Sequence, residues 1–231
     1  MNILITRPLI DSENLMEKLF SIGHKILHIP TLKISSKNME PINPDDFNAF
    51  IFTSANAARN LKLSNRHRKI FCFCVGSITE KIVRQLGFQN TFSAGGTVNA
   101  LKNLLLNSSQ IDEKSKIVYF CGDNISYDLD TDLKKEGYNV KKIINYSAEK
   151  ITDLSDENKK IIENNVPDLI FIYSLRSAQS FDEISKNYSL YPLMTGSTVM
   201  CISKKVADFF KITGWKKIEV FNPGEELLRL Q

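Results

Sequence analysis

Small hydroxyl residues follow apolar runs at four places in this chain, and such places could bind an anion. If each apolar run is a strand that leads into a helix, the helix exposes unpaired backbone N–H groups and the positive end of its dipole. Both features favour a carboxylate or a phosphate. The sequence therefore predicts anion binding largely by main chain. The four places are Thr53-Ser54, Gly76-Ser77, Ser174 and Ser203-Lys204.

Two arginines accompany these turns. Arg7 follows the first apolar run, and Arg176 comes two residues after Ser174. Folding requires no charge at this edge of a sheet, so a ligand contact is one interpretation of each arginine; a solvated or helix-paired side chain is the other. The hydroxyls of Ser54 and Ser174 have a simple alternative as well, because capping their own helices stabilises each by about 1 kcal/mol.

Conventional catalytic motifs are absent from the sequence. It contains no GxGxxG, GxxxxGK[ST], HExxH or GxSxG pattern. Its four cysteines lie in apolar runs without metal-type spacing, so we expect buried thiols. Thirty Lys and Arg against 26 Asp and Glu give a net charge of +4, too small to predict a nucleic-acid partner.

The length of 231 residues suits two domains of roughly 100 to 120 residues. No run of about 18 apolar residues predicts a membrane span, and the start of the chain does not resemble a signal peptide. We therefore expect a cytoplasmic protein without a membrane partner.

The sequence nearly repeats itself. Residues 51–58 (IFTSANAA) return as residues 171–178 (FIYSLRSA), and residues 74–79 (CVGSIT) return as residues 201–206 (CISKKV). A weaker echo places the first apolar run against residues 118–121. Near-constant offsets of 114 to 128 positions indicate a duplicated α/β unit, whose interface could hold a ligand.

Apolar runs alternate with amphipathic segments of helix length, which is typical of α/β folds with parallel sheets. Ten strands are predicted, enough for two sheets of five. They cover residues 2–6, 25–29, 49–52, 70–75, 90–93, 116–120, 140–144, 168–173, 198–202 and 217–221. A helix over residues 79–86 should end at Gly87 in a left-handed conformation, and Gly214 is the equivalent stop.

Two polar segments, residues 33–38 and 145–150, interrupt this alternation without an attached helix. We interpret them as linkers between two domains. One domain would be residues 38–145, and the other would join residues 1–34 to residues 150–231. Such a two-segment connection would permit hinge motion.

Several ordered segments resemble the uroporphyrinogen-III synthase family. They are residues 4–8 (LITRP), 51–57 (IFTSANA), 75–79 (VGSIT), 121–123 (CGD) and 143–146 (IINY). The resemblance implies two flavodoxin-like domains, each a five-stranded parallel sheet with helices on both faces. It also implies a monomeric lyase without metal or organic cofactor. Its substrate would be hydroxymethylbilane, a linear tetrapyrrole with eight carboxylates that is closed to uroporphyrinogen III with inversion of the last ring and loss of water.

The resemblance also implies roles for particular residues. Tyr146 matches the tyrosine proposed as the acid for water loss, although a packed hinge residue is an equal interpretation. Where many relatives have a turn rich in hydroxyl groups, this chain has Ser203, Lys204 and Lys205, so an ammonium could reach a carboxylate instead. The full set of predicted substrate contacts is Arg7, Ser54, Asn56, Ala57, Thr79, Ser174, Arg176, Ser203, Lys204 and Lys205.

Two other functions fit the same residues. A two-domain protein that binds small anions without turnover would need the same anion-binding turns and no acid. A nucleotide-sugar transferase fits less well, because such enzymes usually have longer domains and a diphosphate site. Formation of a tetrapyrrole product would distinguish the enzyme from the binding protein.

Overall fold

The computed structural model describes residues 1–61, 68–222 and 224–230. In this part of the chain, eleven strands alternate with eight α-helices. The strands are β1 Asn2–Ile5, β2 Lys25–His28, β3 Leu32–Ser36, β4 Ala49–Phe52, β5 Phe71–Cys74, β6 Asn90–Ser93, β7 Lys116–Gly122, β8 Asn139–Lys150, β9 Leu169–Ile172, β10 Thr198–Cys201 and β11 Ile218–Val220. The helices are α1 Leu9–Ser21, α2 Ala55–Arg59, α3 Ser77–Gln85, α4 Val98–Leu106, α5 Leu129–Lys135, α6 Asp156–Asn164, α7 Leu175–Asn187 and α8 Lys204–Ile212. Short 3₁₀ helices cover Pro44–Asp46 and Glu226–Leu230.

The chain divides into two compact units. The first combines Met1–Lys33 with Glu149–Gln231, and the second is the continuous stretch Ile34–Ala148. None of the described helices combines the length and the apolar character that crossing a membrane requires.

The first unit contains a sheet of five parallel strands in the order β11-β10-β9-β1-β2. Its strands are short and apolar, as in β1 (NILI) and β9 (LIFI), because helices cover both faces of a parallel sheet. In the register, Ile5 lies beside Phe171, and Ile172 lies beside Cys201. The prediction of a five-stranded parallel sheet is confirmed for this unit.

The second unit differs from the prediction. Its sheet has six strands in the order β3-β8-β7-β4-β5-β6. The additional strand β3 runs antiparallel to β8, since Lys37 N donates to Asn145 O at 2.9 Å while Ser147 Oγ donates to Ser35 O at 3.5 Å. The prediction of a purely parallel five-stranded sheet is therefore wrong here. The two segments interpreted as linkers are strands that pair with each other, because their backbone groups need partners whatever their side chains are.

The sequence repeat corresponds to positions in the two sheets. Repeated segments β4 and β9 are the central strands, and β5 and β10 are their neighbours on the same side. Strand β7 lies beside β4 as β1 lies beside β9, and β8 follows β7 as β2 follows β1. If the additional strand β3 is left aside, each sheet thus combines two strands of one repeat with three of the other. This exchange of strands between the two repeats explains both the near-constant offset along the chain and the discontinuity of the first unit.

The ends of the elements follow from local sequence. The helices α3 and α8 are followed by Gly87 and Gly214, with φ of +96° and +95°, a conformation that favours glycine. Both predicted helix stops are confirmed. All four cysteines are buried and free, as predicted. Burial raises the pKa of the Cys121 thiol to about 11 and of the Cys201 thiol to about 12, so both stay protonated at neutral pH.

Candidate functional site

Three neighbouring strands of the first sheet end together and carry predicted site residues at this edge. Parallel strands β1, β9 and β10 lead into Arg7, Ser174 and Ser203 respectively. The carboxyl ends of parallel strands form one edge of a sheet, which is where ligands bind in open α/β folds. Arg7 and Arg176 are half-buried, whereas Lys204 and Lys205 are exposed. We call these four residues the cationic edge.

The start of α7 is held firmly by hydroxyl groups. Ser174 caps the helix by accepting a hydrogen bond from Ser177 N at 3.0 Å. The hydroxyl of Ser177 is hydrogen-bonded to that of Thr31, and Ser180 Oγ donates to Thr31 O at 2.8 Å. Thr6, at the end of β1, donates to Phe171 O at 2.7 Å. Thr31, which follows β2, thus holds the first two turns of α7, and Thr6 joins the end of β1 to β9.

The starts of α7 and α8 carry cations where acids are usual. Ser203 caps α8 by accepting from Val206 N at 3.4 Å, and Lys204 and Lys205 are the first two residues of the helix. Neither α7 nor α8 has an acidic residue in its first turn. Positive charge near a helix N-terminus is unfavourable by a few tenths of a kcal/mol to about 1 kcal/mol. A bound anion would reverse this unfavourable interaction.

Sequence reasoning missed Tyr173, which lies beside Arg7, and Glu226, whose charge acts on Tyr173. The Arg7 guanidinium carbon lies 4.6 Å from the centroid of the Tyr173 ring, a cation–π distance. Glu226 from the last described helical turn is buried, with 7% exposure. Burial and the nearby Glu226 charge raise the pKa of the Tyr173 phenol, so it stays neutral. Tyr173 follows β9 and directly precedes the capping residue Ser174. An aromatic residue in that position was the signal in the sequence that could have identified it.

The corresponding edge of the second sheet is less open. Ser54 caps α2 by accepting from Asn56 N at 3.2 Å, and Asn56 Oδ1 accepts from Arg59 at 2.8 Å. Their polar groups therefore have partners within a helix of only five residues. Ala57 is 0% exposed and Thr79 is 5% exposed, so neither offers a surface to a ligand in this structure.

Tyr146 lies at an irregularity in the second sheet. Cys121 of β7 pairs with Ile144 of β8, but the next residue, Gly122, pairs with Tyr146. Asn145 is thus an extra residue, and the strand forms a β-bulge there. The ring of Tyr146 packs over Gly122 and against the aromatic core of this unit.

An ion pair holds the strands around the bulge together. Asp123 follows β7, and its carboxylate lies 3.2 Å from Lys37 Nζ and accepts from Ala148 N at 3.4 Å. Its backbone N–H donates to Tyr146 O at 3.1 Å. Partial burial opposes ionisation, but hydrogen bonds from Asn124 and Lys37 lower the pKa of Asp123 below its ordinary value.

Replacing Asp123 by asparagine should therefore lower the free energy of unfolding at neutral pH but not at strongly acidic pH. The folded-state pKa is lowered, so the stabilisation is present above the unfolded value of about 3.9 and is lost as pH falls through the folded value. We expect a loss of about 1 kcal/mol or less at pH 7 and almost none near pH 2, measured by urea unfolding. Equal losses at both pH values would show that the charge is irrelevant.

The structure distributes the predicted site residues between the two units. The first unit holds Arg7, Ser174, Arg176, Ser203, Lys204 and Lys205, and the second holds Ser54, Asn56, Ala57, Thr79 and Tyr146. Among the residues that the structure describes, no three histidine, cysteine, aspartate or glutamate side chains are grouped to hold a metal ion.

Comparison with solved structures finds the same fold in known proteins. This chain is similar to uroporphyrinogen-III synthetase from Helicobacter pylori, with 20% sequence identity and a TM-score of 0.63 over 90% of this chain and 94% of that one. It is also similar to a mutant uroporphyrinogen III synthase from Thermus thermophilus, with 14% identity and a TM-score of 0.55 over 98% of this chain and 94% of that one. A comparison with curated proteins finds no match.

The family itself is shown by sequence. The profile described as uroporphyrinogen-III synthase HemD matches residues 13–223. This match covers most of the chain and both units, and it agrees with the fold of the solved structures. The resemblance found in the sequence is thereby confirmed: the chain belongs to the uroporphyrinogen-III synthase family, the lyases that cyclise hydroxymethylbilane in heme biosynthesis.

Proposed function

We propose that this chain carries out the reaction of its family with the cationic edge as the carboxylate site and Tyr146 as the proton donor. The observation that carries the proposal is the set of four cationic side chains and two capped helix starts along one edge of the first sheet. A substrate with eight carboxylates is the ligand that such an edge suits best.

A carboxylate at the cationic edge would interact with cationic side chains and with the starts of two helices. Arg176 can offer a guanidinium to a carboxylate, and Lys204 and Lys205 can each offer an ammonium; charge-assisted hydrogen bonds of this kind are roughly twice as strong as neutral ones. The backbone N–H groups at the starts of α7 and α8 add a partial positive charge. The nine residues of α8 and the thirteen of α7 are long enough for this effect.

The chemistry requires one proton and a folded substrate. Protonation of the terminal hydroxymethyl oxygen breaks the C–O bond and releases water, leaving an azafulvenium cation that the pyrrole nitrogen stabilises. Closure at the substituted carbon of the last ring gives a spiro intermediate, which fragments and recombines with that ring inverted. The proton lost when the macrocycle regains its pyrrole ring replaces the one donated, so the net loss is one water.

Tyr146 fits the first of these steps as a general acid. A phenol is a weak acid, so its oxygen must be aimed at the leaving group for proton transfer to be effective. Holding the chain in the pose that inverts the last ring is positional catalysis, for which no nucleophile is needed.

Replacing Lys204 and Lys205 together by glutamine should raise KM by about 10-fold or more and change kcat much less, since each ammonium contributes a charge-assisted contact to bound substrate and product-forming states alike. The difference from the parent should shrink at high salt, because exposed charges are screened. Steady-state kinetics at two ionic strengths measure both effects.

The matched control is the pair Lys216 and Lys217, which precede β11 at the opposite edge of the same sheet. Replacing both by glutamine removes the same charge and should leave KM within about twofold of the parent. A control that raises KM as much as the first pair would reduce the effect to net charge and contradict a local site.

The finer organisation belongs to the same proposal. We propose a monomer in the cytoplasm whose two units act as domains joined through residues 33–38 and 145–150. We also propose flavodoxin-like ancestry: numbered along its own unit, the first sheet has the order 2-1-3-4-5 that flavodoxin-like folds share. The second sheet reads 3-2-1-4-5 for its parallel strands, which is the same arrangement with the repeat boundary moved.

A further inference from the structure

The direction of the Tyr146 side chain depends on the β-bulge. In a regular strand, residues three positions apart point to opposite faces. Ile143 and Tyr146 are three apart, yet both pack against the same buried cluster, which includes Phe52 and Phe120. The extra residue Asn145 accounts for this, because it resets the alternation of side chains. Without the bulge, the phenol would point to the other face of the sheet.

Gly122 leaves the space that the Tyr146 ring occupies. A Cβ atom placed on Gly122 would lie 2.7 Å from Cζ of Tyr146 and 2.9 Å from its hydroxyl oxygen. Real Cβ atoms essentially never approach other heavy atoms so closely. The contact involves the reactive end of the ring, so any side chain at position 122 would displace the phenol oxygen itself. Glycine inside a strand often marks such a close approach.

Asn145 fixes the bulge to the rest of the second unit. Its side chain is 0% exposed, and Nδ2 donates to Ala57 O at 2.7 Å. Its backbone oxygen accepts from Lys37 N at 2.9 Å and from Asn60 Nδ2 at 3.5 Å. The bulge residue is therefore bonded to Lys37 just after β3 and to the end of α2, so regular pairing could return only if these bonds broke.

We infer that Gly122 and Asn145 are positioning residues for Tyr146. Gly122 admits the phenol to its place over β7, and Asn145 holds the bulge that turns it there. This inference rests on the proposed role of Tyr146 as the general acid. It also gives a reason for the position of the family-like Gly-Asp pair opposite the tyrosine, at the end of β7. Gly122 provides space for the ring, and Asp123 accepts and donates the neighbouring backbone hydrogen bonds.

The test is a double-mutant cycle on kcat. We expect Gly122→Ala to lower kcat to about the level of Tyr146→Phe and to leave KM within about threefold, because binding groups are untouched. The double variant Gly122→Ala/Tyr146→Phe should be no slower than either single variant, since both remove the same donated proton. Gly196→Ala is the control: a Cβ there meets no atom within 4 Å, and kcat should not change.

The outcomes separate this inference from the proposed function. If Tyr146→Phe is slow and Gly122→Ala is as fast as the parent, the positioning inference is wrong and the acid role stands. If the double variant is slower by the product of the single effects, the two residues act independently and the inference is again wrong. If Tyr146→Phe is as fast as the parent, the acid role itself fails.

Two further variants test the inference even if Gly122→Ala folds poorly. The combination Gly122→Ala/Tyr146→Ala should recover most of the thermal midpoint lost in Gly122→Ala, because the ring that the new Cβ meets is gone; no recovery would contradict the contact. Asn145→Ala should lower kcat at least 10-fold with KM within about threefold of the parent, through the bulge alone. An unchanged kcat in a folded Asn145→Ala protein would overturn the role of the bulge.

Discussion

Replacing Tyr146 by phenylalanine is expected to lower kcat by about 10²- to 10⁴-fold, the range that a general acid typically contributes. The ring still packs against the core of the second unit, so the fold and KM should change little. The substitution removes only the hydroxyl group that donates the proton, so water must then protonate the leaving oxygen. Steady-state kinetics with freshly prepared hydroxymethylbilane give both constants.

The control for this result is Tyr138→Phe. Tyr138 is half-buried in the same unit, immediately before β8 begins, and it loses the same hydroxyl group. Its kcat should equal that of the parent. Full activity in Tyr146→Phe would reduce Tyr146 to a packed residue of the bulge, which is the alternative interpretation of the sequence.

Replacing Phe120 by alanine is expected to lower the free energy of unfolding by about 3 to 5 kcal/mol, the usual cost of removing a buried aromatic side chain. Phe120 is 0% exposed. Its ring stacks on that of Phe52 at 5.5 Å and meets the edge of Phe50 at 5.1 Å. Phe120 lies on β7, two residues before Gly122, so the cavity left by the substitution would also weaken the packing around Tyr146. Urea unfolding of the purified variant measures the loss.

Phe20 provides the matched control for the stability measurement. It lies on α1 and is 72% exposed. Replacing it by alanine removes the same atoms and should change stability by less than about 0.5 kcal/mol. A loss below about 1 kcal/mol in Phe120→Ala would show that the aromatic cluster does not hold the second sheet together.

The strands could be predicted because both faces of a parallel sheet are covered. Runs such as residues 49–52 (AFIF) and 71–74 (FCFC) are wholly apolar, so they stand out between polar helices. Each of the ten predicted strands overlaps an observed one. The repeat was equally visible, since equivalent turns need the same small capping residues in both halves.

The antiparallel pairing of β3 with β8 could not be predicted from residue types. Strand β3 (LKISS) lies at the edge of the sheet and is at most half-buried, so only Leu32 and Ile34 give it a weak apolar signal. What holds it in place is backbone hydrogen bonding to β8, which does not depend on side-chain identity.

The cationic residues of the first unit could be found from sequence, but the geometry of the tyrosine could not. Position after a strand is enough to place Arg7, Arg176 and the two lysines at one edge. Resemblance alone suggested Tyr146, and nothing local showed which way it points. The direction of its side chain depends on the extra residue Asn145 and on the lack of a side chain at Gly122. Neither effect can be recognised until the register of β7 against β8 is known.

The most direct measurement is the product that the purified chain makes from freshly generated hydroxymethylbilane, with the uroporphyrinogen isomers separated and quantified. Without enzyme, the bilane closes to the uninverted type I isomer. The account predicts that this chain yields the type III isomer, with the last ring inverted. Formation of type I alone, at the rate of the uncatalysed reaction, would contradict it.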